Sequence, residues 1–441
     1  MLSMLTRTLF ASGYGGSIYS LSFDPTSSQA TLSVISNVSA GSAPTWLTQH
    51  PTLPVLYTGD EFSSPNGVLS TFEIAENASS LSPIGQPGAS KDGPVHMVVS
   101  PNGKELYSAC YSAGALSTAK LLDNGTFDVE GKGQNFVYGG KGQNPKRQEA
   151  PHAHGVAIDP TGQFVWCTDL GTDQVHAYQI SSDRIDYATS LSTTRGAGPR
   201  HLVFAPTASP ERSLLYLVSE LSNTVSIYEV ISPPRAASPP PPHPPVIEDD
   251  KAIPPPPPEN ESSASTEEDV KPDNAPVPMS TVPAPPPIPK PTVNPIQLDV
   301  SILPPNANAT SGDWTAAELE LSRDRKWLYV SNRAPVEPTL PATDYLTVLE
   351  LDDDGKIVEG ATSWKELGGV GPRHFKLSGT REAARVKRED DDAGAEEGKS
   401  YMAVAFQRTN EVAIFAVEGK ELSEVARVGG IEGATCVLWN Q

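Results

Sequence analysis

Two histidines one residue apart, His152 and His154, lie in the run Pro-His-Ala-His-Gly. At a spacing of i, i+2 they share one face wherever the chain is extended. Arg200 and Arg373 each follow Gly-Pro, which fixes the approach to a strand and presents a planar guanidinium. That fork suits bidentate contact with a carboxylate or a phosphate. Glu220 shares a repeating unit with Arg200, and Asp169 shares one with His154. Arg333 and Gln407 end equivalent runs further along. An imidazole, a guanidinium and a carboxylate around one opening are the parts needed to move a proton beside a developing anion. Each also has a plainer use, as a buried histidine satisfied by its neighbours or an arginine in an ion pair between packed units.

These residues are placed by a repeat. Seven times a Leu-Tyr-like run leads through small residues and a polar turn into a second β-rich run, as in Leu56–Ile74, Leu106–Leu121 and Leu215–Val230. Ahead of each lies another short β-rich run, often opened by proline, such as Pro94–Pro101, Pro199–Pro206 and Pro372–Gly379. Four strands per unit, at roughly 50 residues per unit, predict an all-β, seven-bladed β-propeller. The seventh inner run, Ala434–Gln441, finds its partners only in Leu9–Phe23. The ring is therefore expected to close by joining N- and C-terminal strands in one blade, which removes open edges.

Aligning the inner runs gives one ring of Thr45, Val95, His154, Arg200, Ala317, Arg373 and Thr435. The next position gives Trp46, His96, Gly155, His201, Glu318, His374 and Cys436. Strand alternation predicts that the two rings point to opposite faces. The repeated His96, His201 and His374 read as structural, bonded to the neighbouring strand. The irregular first ring reads as the place for a ligand.

Composition narrows the choice. A net charge of −21 excludes a nucleic-acid binder, which needs a basic face. Three cysteines without CxxC spacing give no disulfide scaffold and no zinc site, and no metal or cofactor is expected. No window has the length of a membrane span or a secretory leader, so a cytoplasmic protein is expected. The propeller is expected over 1–231 and 295–441. A Pro-rich insertion at 232–294 would lie at the outer rim of a blade, with a charged loop insertion at 381–398. The insertion reads as a tolerated excursion, with a ligand for a Pro-binding module as its functional alternative.

The segments PHAHGVAIDPTGQFVWCTDLGTDQVHAY, GAGPRHLVFAP, LYLVSELSNTVSIYE, GPRHFKLSG and FQRTNEVAIF resemble the seven-bladed propeller lactonases. That family includes 6-phosphogluconolactonases and fungal carboxy-cis,cis-muconate cyclases, and a fungal member is expected here. The resemblance implies catalytic roles for His154, Arg200 and Glu220, whose counterparts are implicated in the cyclase branch. His152, Asp169, Arg373, Arg333 and Gln407 complete the expected substrate-binding set. The implied reaction is hydrolysis of a sugar-acid lactone such as 6-phosphogluconolactone. Glu220 or His154 would deprotonate the attacking water, and Arg200 and Arg373 would hold the anion. The alternatives are a carboxy-muconate-type cycloisomerase using the same residues, taking a small anionic muconate-like substrate, and a non-catalytic scaffold that binds protein partners.

Overall fold

The structure is a computed structural model that describes residues 6–26, 29–234, 288–305, 314–335, 344–379 and 400–440. The Pro-rich segment from 235 to 287 and the acidic loop from 380 to 399 lie outside the described residues. The strands form seven antiparallel sheets, six of four strands and one of five. One blade runs outward from the axis as Ala153–Ile158, Phe164–Asp169, Gln174–Ile180 and Ile185–Ser192. The next runs Pro199–Pro206, Arg212–Ser219, Thr224–Ile231 and Thr292–Ser301. Ala434–Trp439 pairs with Arg7–Gly13, Leu9 standing opposite Trp439 and Ser12 opposite Cys436. Both ends of the chain thus complete one blade and close the seven-bladed propeller. Among the described residues no helix is long and apolar enough to cross a membrane.

The Leu-Tyr signature has a physical cause. Leu56, Leu106, Leu215 and Leu328 are buried between blades, and so are the tyrosines that follow them. Three of those hydroxyls donate to a turn of the following blade. Tyr57 reaches the Gly125 carbonyl at 2.6 Å, Tyr216 that of Gly355 at 2.8 Å and Tyr329 that of Gly419 at 2.7 Å. Each of these glycines has a positive φ, so the turn needs the residue and the tyrosine needs the turn. One blade has Trp166 in this position, packed on Phe204 with its Nε1 unpartnered among the described residues. The three cysteines are buried, form no disulfide among the described residues, and serve as core packing.

One expectation is overturned. All seven inner strands carry a register shift at the same level. It falls, for example, between Pro94 and His96, Pro199 and His201, and Pro372 and His374. A bulge adds a residue that breaks the alternation of faces. Residues adjacent in sequence therefore both reach the axis. Val95, His154 and Arg373 line one cavity, while His96, His201 and His374 line another below it.

Replacing Tyr216 by Phe leaves the Gly355 carbonyl without its donor. The expected cost is about 1 kcal/mol, read as a lower midpoint of urea unfolding with unchanged strand content. An unaltered midpoint would contradict the interblade role of this hydroxyl.

Candidate active site

At the bulged end of the inner strands lies a cavity of about 570 Å³. Four arginines line it, Arg147, Arg333, Arg373 and Arg408, against two carboxylates, Glu61 and Glu220. His154, Tyr14, Tyr111 and Thr315 complete the polar wall. A chain of net charge −21 thus concentrates positive charge at one mouth of its axis.

Glu220 organises this wall. It is 3% exposed. Its Oε1 accepts from Arg147 Nη2 at 2.7 Å and lies 3.4 Å from Arg333 Nη2, while Oε2 accepts from Arg200 Nε at 2.9 Å. Burial pushes the carboxyl up, but Arg333, Arg200 and Arg147 outweigh it and hold the group down at about 2. Arg200 itself is 2% exposed and stands behind Glu220, off the cavity wall. Its Nη1 donates to the Ala317 carbonyl and lies 3.3 Å from the His201 ring. Arg333 donates from Nη2 to the Ala316 carbonyl at 2.9 Å. Burial lowers its pKa to about 9 against the pull of Glu220, which leaves it charged at neutral pH.

Arg373 differs from these. Among the described residues it makes no hydrogen bond and no ion pair, and its guanidinium carbon lies 5.7 Å above the Tyr14 ring. The Tyr14 hydroxyl donates in turn to Glu61 at 3.2 Å. The backbone that carries Arg373 and Arg333 is tied by one carboxylate, Asp344, which accepts from Gly371 N at 2.6 Å and Ala334 N at 2.8 Å. His154 is 5% exposed, and its Nδ1 has no partner among the described residues. Burial, reinforced by Arg200, His201 and Arg373, holds its pKa well below the ordinary imidazole value. The result is a neutral imidazole beside an uncommitted guanidinium.

Of the residues expected from sequence, His154, Glu220, Arg333 and Arg373 meet in this cavity, and Arg200 supports it from behind. Three others are off its wall. His152 stacks on Tyr111 with ring centroids 4.4 Å apart and bonds to the Tyr111 carbonyl and to Glu149. Asp169 accepts from His152 N, Gly171 N and Thr172 Oγ1, so its charge fixes a loop. Gln407 yields its place to the next residue, Arg408. Arg147 has no repeat position to reveal it, because it sits in the loop before the strand Ala153–Ile158. That loop is pinned by Gln148, whose Nε2 donates to Asp173 Oδ1 at 2.7 Å and to the Leu170 carbonyl at 2.8 Å. Among the described residues no group of His, Cys, Asp or Glu side chains is placed to hold a metal ion.

Glu220→Gln would strand three guanidiniums and is expected to cost about 3 kcal/mol. The native Glu220 ionises lower folded than unfolded. Its contribution is complete above about pH 4.3 and is lost as pH falls towards about 2. Acid-unfolding curves should therefore steepen over that window in the native chain and flatten in the variant. Parallel curves would contradict the assignment.

Residues 5–235 and 295–439 match the family described as Lactonase, 7-bladed beta-propeller. A protein of Arthroderma benhamiae named "Probable 6-phosphogluconolactonase" is 32% identical over 50% of this chain and 55% of its own. The 6-phosphogluconolactonase of Bacillus subtilis is 26% identical over 42% of this chain and 51% of its own. The chain thus spans about half the length of these curated relatives. Among solved structures, a periplasmic gluconolactonase of Pseudomonas aeruginosa superposes with a TM-score of 0.68 at 19% identity, covering 98% of this chain and 99% of the other. Together with the sevenfold fold, the match over both parts of the propeller settles the family: the chain belongs to the seven-bladed β-propeller lactonases.

Proposed function

We propose that the chain hydrolyses a sugar-acid lactone, with 6-phosphogluconolactone as the particular substrate. The observation that carries this reading is the neutral His154 beside the unpaired Arg373 in a cavity lined by four arginines. The names borne by the matching relatives support the same substrate class.

The imidazole of His154 takes a proton from water as the oxygen attacks the lactone carbonyl carbon. The carbonyl oxygen becomes an oxyanion and is met by Arg373, which makes no hydrogen bond among the described residues. Collapse breaks the ring carbon–oxygen bond, and the departing oxygen takes the proton back from the imidazolium. The product is the open hydroxy acid. Glu220 is unsuited to accept that proton, because three arginines hold it ionised down to about pH 2. It positions Arg147 and Arg333, and Arg200 positions it. Arg408, with one wall-facing guanidinium outside the Glu220 cluster, suits a distal anionic group such as a phosphate.

His154→Ala is expected to lower kcat/KM for the lactone by about 10²–10⁴-fold, and Arg373→Leu by about 10²-fold or more, both without loss of fold. Because His154 is held low, kcat/KM of the native protein should stay level as pH falls through about 6.5 and decline only well below it. A hydrolysis rate at background, full activity in His154→Ala, or an acid limb centred on ordinary imidazole would each refute the reading.

A further inference from the structure

A second cavity, of about 420 Å³, occupies the other end of the axis and shares no lining residue with the first. All seven inner strands contribute to it, beyond their bulges. Much of its wall is apolar, formed by side chains such as Leu47, Val98, Ile158, Val203, Phe204 and Leu438. Its polar side chains lie at two levels: Glu320, Lys376, Ser322, Arg323 and Arg325 further along the strands, and His96, His201, His374 and Glu318 nearest the first cavity. Trp46 joins them, its ring stacked on His96 with centroids 3.8 Å apart and set edgewise to His374 at 4.7 Å.

The hydrogen bonds of these histidines fix what they offer. His96 Nδ1 accepts from Val156 N at 3.3 Å, and His374 Nδ1 accepts from Val437 N at 3.2 Å, each across to the following blade. Both rings must therefore carry their proton on Nε2 when neutral. Burial drives His96 well below the ordinary imidazole value and His374 to about 3, so neutral is the form present. Glu318 is satisfied within the cluster, taking His201 Nδ1 at 2.9 Å and Leu319 N at 3.0 Å. His374 Nε2 lies 3.7 Å from the same carboxylate. His96 Nε2 makes no hydrogen bond among the described residues, and His96 is a partly exposed residue on the chamber lining. It is left as an accessible donor at the head of an apolar chamber.

A chamber with apolar walls and a few convergent polar groups is the form of a small-molecule site. We infer that this cavity binds a neutral, mainly apolar small molecule whose hydroxyl or carbonyl oxygen accepts from His96 Nε2. An anion is disfavoured at the polar end by Glu318. Of the cations on the lining, Lys376 is paired with Glu320 at 3.0 Å, and Arg323 and Arg325 are exposed at the outer rim, Arg325 donating to the Pro206 carbonyl. A cation is disfavoured by the donor hydrogens and by Arg200 against His201. This site is independent of the arginine-lined cavity and of the reaction proposed there.

Cyclohexanol and cyclohexanecarboxylate share a ring and differ in charge, and isothermal titration of the whole chain with each tests the inference. Saturable binding of cyclohexanol is expected, with cyclohexanecarboxylate weaker by about tenfold or more. His96→Phe, which keeps the ring and removes the donor, should weaken cyclohexanol by about fivefold. Val203→Trp, at a partly exposed wall position, should abolish it by filling the chamber while leaving the circular dichroism spectrum unchanged. Absence of saturable binding overturns the inference, as does binding that survives Val203→Trp. Equal binding of the carboxylate overturns the ligand class.

Discussion

One buried carboxylate, Glu220, holds three guanidiniums together, and the geometry of the arginine-lined mouth depends on it. Arg147 comes from the loop ahead of one blade, Arg200 from the blade of Glu220 itself and Arg333 from the blade after it. Like charges brought this close repel, and burial penalises each of them. Glu220 offsets both effects at one point and stays ionised to about pH 2. With three arginines committed to it or beside it, Arg373 is left, among the described residues, with contact to a ring face and no hydrogen bond. The mouth therefore combines a rigid, charge-compensated side with a side able to take up an anion.

The bulge common to the inner strands decides how far apart two neighbouring residues can act. Without it, Arg373 and His374 would face opposite ways, as would Val95 and His96. With it, the first of each pair serves the arginine-lined cavity and the second serves the apolar one. Rings of Trp46, His96, His201 and His374 form the layer between, in contact with His154 at 5.1 Å through His201. The same layer that closes the apolar chamber also keeps His154 desolvated and neutral.

Much of this was legible in the amino-acid sequence because the fold repeats its requirements. In three blades the Leu-Tyr period reflects a tyrosine hydroxyl that finds a glycine turn in the next blade, and elsewhere it reflects a large side chain buried at the same place. Aligning the units then exposed His154, Glu220, Arg333 and Arg373 as departures from a structural norm. Other features had no such signature. Arg147 sits in a loop outside the period. Asp169 has the charge of a site residue, yet spends it on backbone N–H groups. Arg200 follows the same Gly-Pro as Arg373 but is turned inward by Glu220. The bulge is a backbone event that no side-chain pattern records. Gln407 and Arg408 differ by one position at a strand end, where the chain leaves the regular alternation.

The account is tested most directly by a crystal structure of the chain with 6-phosphogluconate, the hydroxy acid that opening of the proposed lactone would give. Its carboxylate should lie on the Arg373 guanidinium within hydrogen-bonding distance of the His154 imidazole, with the phosphate towards Arg408. A sugar acid bound in the apolar chamber, or on the outer faces of the blades with the arginine-lined cavity empty, would contradict it.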